Sequence, residues 1–158
     1  MHYTFLDSPI GALLLAGTGP ALELLGFPTG SMARQPKPEW QRDDTAFAEV
    51  RKQLSAYFRG QLRQFNVELA PAGTAFQLQV WQALQAIPYG ETCCYRDIAV
   101  RIERPRAVRA VGHANGRNPL PIIVPCHRVI GSNGALTGFG GGLPTKTFLL
   151  QLEGAVTA

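Results

Sequence analysis

The sequence predicts a mixed α/β (α+β) fold, in which a small β-rich amino-terminal domain with one helix precedes a mainly helical carboxy-terminal domain. Short apolar runs separated by turn residues dominate the first 27 positions, whereas apolar residues recur at helical spacing after position 74. A segment of small residues, Ala-Pro-Ala-Gly at 70–73, separates the two patterns. We therefore expect one domain over 1–70 and a second over 74–158.

In the amino-terminal region, short runs bounded by turn residues predict an antiparallel meander of three strands, over 3–7, 11–16 and 21–27. The proline-containing stretch 28–44 is predicted to be a loop. Apolar residues at helical spacing predict a helix over 46–58, which Gly60 ends. Residues 65–69 are predicted to form the last strand of this domain.

The carboxy-terminal region is predicted to be mainly helical. Thr74 and Gln77 have the spacing of a capping box, which begins the first helix, and Pro88 ends that helix. Two short helices follow over 95–102 and 106–114, and the second carries basic residues. Such a pair is typical of a helix-turn-helix or winged-helix arrangement, although many small helical proteins contain one.

The second helix of this pair is predicted to bury Val108 and Val111. The apolar run at 122–124 is predicted to be a short buried strand that leads to Cys126. A last helix begins near Pro144 and ends at Gly154, because proline favours the first helical turn and glycine the residue after the last one.

Composition excludes several classes of protein. Hydrophobic residues make up 46% and charged residues 16% of the chain, and no apolar run approaches the about 20 residues that span a bilayer. The first residues lack the pattern of a signal peptide, so we expect a cytoplasmic protein. The three cysteines are Cys93, Cys94 and Cys126. Their number and spacing predict free thiols, no zinc site and no cofactor.

The positive charge of the chain is concentrated in its carboxy-terminal region. Residues 1–73 carry seven basic and seven acidic side chains, whereas residues 74–158 carry eight basic and four acidic ones. Six arginines lie within 95–117 alone, and on the second short helix Arg106 and Arg109 are predicted to point outward. A cluster of one sign attracts a polyanion, although a solvated helix face is an equally good interpretation of charge alone.

Cys126 is the first candidate for chemistry. A cysteine between apolar runs is ordinarily buried core, but here His127 and Arg128 place a proton acceptor and a permanent cation beside it. The thiolate is the nucleophilic form of cysteine, and a neighbouring base generates it. Glu153 is the best carboxylate available in this region to hold the histidine. A reactive cysteine is the favoured interpretation, and structural burial is the alternative.

The segment Pro125-Cys126-His127-Arg128 resembles the active-site signature of the O6-alkylguanine-DNA alkyltransferases, the methylated-DNA–protein-cysteine methyltransferases. The resemblance covers 74–158 in order and in register, through segments 88–92, 109–112, 118–131, 136–143 and 149–154. The amino-terminal part is only loosely similar to the family, and the resemblance implies that it is the family's ribonuclease H-like α/β domain.

The resemblance implies a catalytic set. Cys126 is expected to be the alkyl acceptor, with His127 taking its proton through a water and Glu153 polarising His127. Tyr95 is expected to donate a hydrogen bond to the target base and to help rotate the backbone phosphate. Asn118 is expected to hold the turn between the recognition helix and the active-site strand.

The resemblance also implies a DNA surface and a base pocket. Arg109 is expected to enter the base stack at the place of the flipped nucleotide. The further DNA contacts are expected to be Tyr95, Arg96, Arg106, Arg117 and Arg128. The pocket is expected to be lined by Pro121, Val129, Phe139, Gly140 and Lys146, with Thr137 at its border. Phe139 stands where some members have tyrosine, which removes a hydroxyl from the pocket wall.

Each of these positions also has a simpler interpretation. Tyr95 fits a helix-face aromatic, Asn118 an ordinary turn residue, and Glu153 a carboxylate at a helix end. Their register with the cysteine and histidine favours the functional interpretation. Cys93 and Cys94 match no role of the family, and we expect them to be structural.

The function that the resemblance implies is direct reversal of DNA damage. The protein is expected to flip an O6-alkylguanine, or an O4-alkylthymine, out of duplex DNA bound through the minor groove, and to accept the alkyl group irreversibly in a single turnover. It is expected to be a nucleoid-associated monomer that can cluster along DNA. The alternatives are a non-catalytic sensor of alkylated DNA, a cysteine hydrolase and a helix-turn-helix regulator. Retention of Cys126 disfavours the sensor, because such relatives replace this residue.

Overall fold

The computed structural model describes residues 1–136 and 139–155. Four strands form a sheet in the order β3-β2-β1-β4. Strands β1 (His2–Ser8), β2 (Gly11–Gly17) and β3 (Leu24–Gly26) are antiparallel neighbours, so the predicted meander is confirmed. The short β4 (Gln41–Arg42) runs parallel to β1. Strand β2 is the most deeply buried of the four, because both of its faces are apolar from Leu13 onward.

The predicted strand over 65–69 is wrong, and the predicted loop supplies β4 instead. Within 65–69 only Leu69 makes a strand-like bridge, to Leu22. The backbone N–H of Asn66 donates to Oε1 of Gln53, and its carbonyl accepts from Nε2 of the same side chain, at 2.8 and 3.0 Å. The Gln53 side chain therefore satisfies the backbone groups of Asn66, while the Glu68 carbonyl and the Ala70 N–H bond to the backbone of Leu22, so only a single bridge forms.

Helix α1 (Ala48–Phe58) covers the sheet region and confirms the predicted helix, two residues shorter at its start. Phe47 stands before it in a left-handed conformation, with φ 55°. The buried face of α1 carries Val50, Leu54 and Tyr57. Tyr57 is the largest side chain that is completely enclosed, and its hydroxyl reaches the carboxy-terminal region.

Three helices form the centre of the carboxy-terminal region: α2 (Ala75–Gln85), α3 (Tyr95–Arg101) and α4 (Val108–Gly116). The predicted capping box of α2 is confirmed, with reciprocal bonds between Thr74 and Gln77. Helix α2 is joined to α4 by the indole N–H of Trp81, which donates to the Ala114 carbonyl at 2.9 Å. Helices α3 and α4 are the predicted helix-turn-helix pair.

One detail of α4 differs from the expectation. Val111 is buried, but Val108 is 36% exposed. Helix α4 begins at Val108, two residues later than predicted, so this side chain lies at the open end of the helix and is not covered by α2 or α3. The turn before it is tight, because Glu103 adopts a left-handed conformation with φ 61°.

The predicted strand over 122–124 is also wrong. Ile122 has a left-handed backbone with φ 75°, and the Val124 N–H donates to the Leu120 carbonyl at 2.9 Å, so the segment is a turn. It is followed by one turn of 3₁₀ helix (Cys126–Arg128) and the short strand β6 (Val129–Ile130). The run is apolar because it is fully buried, which periodicity alone does not distinguish from a strand.

Strand β6 pairs in parallel with β5 (Cys93–Cys94), a contact that the sequence did not predict. Tyr95 follows β5 directly as the first residue of α3. The β5–β6 pair therefore ties the beginning of the helix-turn-helix to the chain that leaves the active-site turn. The last helix, α5 (Leu143–Leu152), has Pro144 in its first turn as predicted, and Gly154 follows it with φ 72°.

A single cluster of buried apolar side chains contains members from both halves of the chain, among them Leu54 of α1, Leu84 of α2 and Leu149 of α5. The amino-terminal sheet region and the helical region thus share their packing. Among the described residues, none of the helices has the length and hydropathy of a membrane span.

A testable prediction concerns the cap of α2. Replacing Thr74 with alanine removes the oxygen that accepts from the Gln77 N–H, and the expected loss is about 1 kcal/mol in the free energy of unfolding. Urea denaturation measures this loss. Thr74→Ser keeps the accepting hydroxyl and is the matched control; an alanine variant as stable as the serine variant would contradict the role of the cap.

Candidate active site

Cys126 lies on the 3₁₀ turn with no exposed surface. Asn118 holds the chain that precedes it. The side-chain amide of Asn118 donates to the Val124 carbonyl at 2.8 Å, while its oxygen accepts from the Leu120 N–H at 2.9 Å. These two bonds close the turn in which Ile122 is strained, and a left-handed β-branched residue persists only where its surroundings hold it.

Burial raises the pKa of the Cys126 thiol to about 11, because the enclosed site disfavours the thiolate. Three interactions oppose this effect: hydrogen bonds to the sulfur from the Asn118 side chain and from the Cys126 backbone, and the charge of the Lys146 ammonium, which favours the anion. Lys146 is completely buried, and its Nζ donates to the Val129 carbonyl at 2.7 Å. The resting cysteine is therefore a neutral thiol that needs a base.

His127 and Glu153 form that base. The imidazole Nε2 and the Glu153 Oε2 are 2.8 Å apart, and both side chains are buried. Burial lowers the pKa of His127, whereas hydrogen bonds from His127 and Arg128 hold the pKa of Glu153 at about 2, against the effect of its burial. A neutral imidazole beside an ionised carboxylate donates from Nε2, which leaves Nδ1 as the acceptor.

The Nδ1 atom of His127 is buried and has no hydrogen-bond partner among the described residues. Buried polar atoms are normally satisfied, and exceptions cluster where chemistry takes place. An imidazole with one nitrogen fixed by a carboxylate and the other uncommitted is ready to accept a proton.

Arg128 differs from the expectation that it contacts DNA. Its side chain is only 7% exposed. Its Nε and Nη2 atoms donate to Glu153 at 2.8 and 3.0 Å, and its Nη1 donates to the Ile87 carbonyl at 2.7 Å. Its guanidinium also stacks over the Tyr89 ring. These inward bonds occupy the donors that a phosphate would need, so we assign Arg128 to the support of Glu153 and no longer to the DNA surface.

Tyr95 is half-buried at the start of α3, and its ring lies against Gly112 of α4. The preceding N–H, of Cys94, donates to the Asp97 carboxylate at 2.9 Å and caps the helix. The structure thus places Tyr95 between the helix-turn-helix and the β5–β6 pair, next to the chain that leaves the active-site turn.

The other predicted DNA contacts form an outer surface on and beside the helix pair. Their side chains are exposed: Arg96, Arg106, Arg109 and Arg117. Two further arginines, Arg101 and Arg104, are exposed in the same region. This surface is separate from the buried set of catalytic groups, as expected when the helices contact a backbone and the thiol remains inside.

The predicted pocket residues lie in two groups. Pro121, Val129 and Lys146 are buried around the active-site turn. Phe139 and Gly140 belong to the glycine-rich segment and rest against the amino-terminal region: the Phe139 ring contacts Phe27, and the Gly140 carbonyl accepts from the Met32 N–H at 2.9 Å. A side chain at Gly140 would collide with Met32. Thr137 lies outside the described residues.

Sequence reasoning missed one group of this site. The Tyr57 hydroxyl donates to Oε2 of Glu153 at 2.6 Å. Helical periodicity marks Tyr57 as a core position of α1, but nothing in that pattern indicates which polar group its hydroxyl meets 96 residues later. The structure also places no group of three or more His, Cys, Asp or Glu side chains around a metal position within 1–136 and 139–155.

Residues 75–155 match the family model described as "6-O-methylguanine DNA methyltransferase, DNA binding domain", and residues 1–71 match the model for the ribonuclease-like domain of the same family. A relative from Methanosarcina acetivorans, named methylated-DNA–protein-cysteine methyltransferase, is 52% identical over 98% of this chain and 99% of its own length. A relative of the same name from Mycobacterium tuberculosis is 52% identical over 97% of this chain and 92% of its own.

Among solved structures, that of Mycobacterium tuberculosis OGT in complex with DNA superposes with a TM-score of 0.92 and 52% identity, covering 98% of this chain and 94% of the other. The amino-terminal region, which the sequence analysis related only loosely to the family, is covered as fully as the rest. The arrangement of Cys126, His127 and Glu153 and these similarities lead to the same conclusion. The chain belongs to the 6-O-methylguanine DNA methyltransferase family.

Proposed function

We propose that the protein removes the alkyl group from O6 of guanine in duplex DNA, and from O4 of thymine, and transfers it irreversibly to Cys126. Membership of the family already makes DNA its partner and alkyl transfer to cysteine its repair activity. The observation that carries the assignment to this residue is the buried Cys126 thiol next to the hydrogen-bonded His127–Glu153 pair.

The proposed chemistry moves one alkyl carbon and one proton. His127 accepts the thiol proton at Nδ1 through a water while Glu153 stabilises the imidazolium, and the sulfur attacks the carbon bonded to O6 in line. The sulfur–carbon bond forms as the carbon–oxygen bond breaks. The Tyr95 hydroxyl donates to the departing base and offsets its negative charge, and the proton is finally returned to the guanine. Lys146 supports the transient thiolate, as its position near the sulfur suggests.

Access to the thiol requires the target nucleotide to leave the duplex. Cys126 has no exposed surface, and an alkylated base inside a stack cannot reach it. Extrusion costs a few kcal/mol, and less for a poorly paired, damaged base. In the proposal Arg109 enters the stack in place of the base, while Arg96, Arg106 and Arg117 contact phosphates. The helix pair binds the minor groove, whose limited sequence information suits a search for damage at any sequence.

We further propose that residues 1–70 and 74–158 act as two domains, and that the protein is a cytoplasmic, nucleoid-associated monomer that can cluster on DNA and needs no cofactor. A non-catalytic sensor of alkylated DNA is the principal alternative. The retained Cys126, with an uncommitted imidazole nitrogen at His127, disfavours it, because a sensor has no use for an activated thiol.

The decisive prediction is stoichiometric modification. Incubation with a duplex that contains O6-methylguanine should add one methyl group to the peptide that carries Cys126, with no turnover beyond one equivalent, as measured by mass spectrometry. Cys126→Ser should abolish transfer and keep DNA binding, because only the nucleophile is lost. A methyl group on any other residue, or repeated turnover, would contradict the mechanism.

A second prediction concerns Arg109. Arg109→Ala should slow repair of the duplex at least about tenfold and leave reaction with the free alkylated base nearly unchanged, because only the duplex requires the gap in the stack to be filled. The matched control is Arg59→Ala, which removes an exposed arginine from the amino-terminal region. Equal losses with both substrates would reject the intercalating role.

A third prediction follows from the lowered pKa of His127. The neutral imidazole is the active form, so the rate of transfer should fall as pH decreases through this pKa. The acid limb of the pH–rate profile should therefore have its midpoint below the ordinary histidine pKa of about 6.5. Single-turnover rates measured across the acid and neutral range test this. An acid limb above that value would mean that burial does not control the base.

A further inference from the structure

Tyr57 connects the amino-terminal helix α1 to the catalytic carboxylate. Its side chain has no exposed surface, and its hydroxyl donates to Oε2 of Glu153 at 2.6 Å. The pKa of this phenol is raised well above its usual range, chiefly by burial and then by the charge of Glu153. The hydroxyl therefore keeps its proton throughout the working pH range and is a permanent donor.

The oxygen that Tyr57 contacts is the one that holds the base. Oε2 of Glu153 also accepts from His127 Nε2 at 2.8 Å and from Arg128 Nη2 at 3.0 Å, while Oε1 accepts from Arg128 Nε at 2.8 Å. Three donors thus share one carboxylate oxygen. Each of them draws on the same negative charge, so a change at one donor alters the bond that the others make.

We propose that Tyr57 is a positioning residue for alkyl transfer, whose hydroxyl fixes the direction of the Glu153 carboxylate and limits how strongly that carboxylate attracts the proton on His127. The inference rests on the proposed role of Cys126 and His127. It adds a contribution from the amino-terminal half of the chain to a proposed set of groups that otherwise lies within 95–153.

Packing alone does not account for the hydroxyl. The Tyr57 ring lies against the rings of Phe58, Phe65 and Tyr89, at centroid distances of 5.3, 5.4 and 6.3 Å. A phenylalanine ring would keep these contacts and would remove only the bond to Glu153. The hydroxyl is therefore separable from the core function of the residue, and this makes its role measurable.

The surrounding charges determine the direction of the effect. Arg128 from the active-site turn and Lys146 from α5 both lower the pKa of His127, and Glu153 raises it. Tyr89 packs against the Tyr57 ring, and the guanidinium groups of Arg63 and Arg128 lie over the Tyr89 ring, so Arg63 is a further charge beside the cluster. Without the Tyr57 hydroxyl, more of the carboxylate charge acts on the imidazole, so His127 holds its proton to a higher pH.

The experiment compares wild-type protein, Tyr57→Phe and Tyr89→Phe in single-turnover methyl transfer from a duplex containing O6-methylguanine, as a function of pH. Tyr57→Phe should slow transfer about fivefold and move the acid limb upward by about half a pH unit, with DNA affinity unchanged. Tyr89→Phe removes a neighbouring hydroxyl that donates to the Leu152 carbonyl, and it should leave the limb in place.

A double-variant cycle tests whether Tyr57 acts through Glu153. In a Glu153→Gln background, Tyr57→Phe should cause no further shift of the limb, because the shared charge is gone. If Tyr57→Phe does not fold, replacement of Tyr57 by 3-fluorotyrosine preserves size and makes the phenol a stronger donor. That protein should show the opposite change, a limb displaced to lower pH.

Two outcomes would overturn the inference. In the first, Tyr57→Phe has the wild-type rate and the wild-type acid limb of the pH–rate profile. In the second, Tyr57→Phe is slower with an unmoved acid limb, and it lowers the rate by an equal factor in the Glu153→Gln background. Failure of the proposed function looks different. In that case the wild-type protein itself would transfer no methyl group to Cys126, whatever residue stands at position 57.

Discussion

The structure depends on one buried negative charge. Removing a carboxylate from water costs several kcal/mol, and an enclosed charge persists only when its hydrogen-bonding capacity is filled. Glu153 meets this condition with three donors from two parts of the chain: Tyr57 of the amino-terminal helix, and His127 and Arg128 of the active-site turn. The same bonds that make the charge tolerable therefore join the two halves of the protein and set the orientation of the base.

The buried Cys126 thiol, in contrast to the buried Glu153 carboxylate, is kept in its neutral form. Cys126 is enclosed without a full counter-charge, so it stays protonated, and the Asn118 amide and the Lys146 ammonium offset only part of that penalty. A nucleophile that can react once gains from this arrangement, because a permanently ionised thiolate would be open to oxidation and to adventitious electrophiles. The neutral thiol beside a neutral imidazole confines activation to the moment when a substrate occupies the site.

Much of this organisation could be predicted from the sequence, and the limits are instructive. The meander, the capping box at Thr74 and the helix pair were recognisable because their signals are local. The strand expected over 122–124 was wrong, because a fully buried turn and a buried strand are equally apolar. The strand expected over 65–69 was wrong, because the Gln53 side chain takes up the backbone bonds of Asn66 and only the single bridge from Leu69 to Leu22 forms.

In the site, too, local signals could be predicted from the sequence and contacts between distant residues could not. The sequence brought Cys126, His127 and Glu153 together through resemblance to a family, and the structure brings His127 and Glu153 within hydrogen-bond distance. Arg128 was expected to be a DNA contact because an arginine beside a nucleophile gives no sign of the direction in which it points. The sequence does not indicate that Tyr57 belongs to the site, because its partner lies in the other half of the chain.

The β5–β6 pair has a consequence for how damage is found. Since β6 continues directly from the 3₁₀ turn of Cys126, and α3 continues directly from β5, this ladder joins the helix pair to the turn that carries the sulfur. In the proposed reaction the sulfur therefore approaches DNA together with the helices that contact it, and we expect the rearrangement that exposes a nucleotide to fall on the double helix.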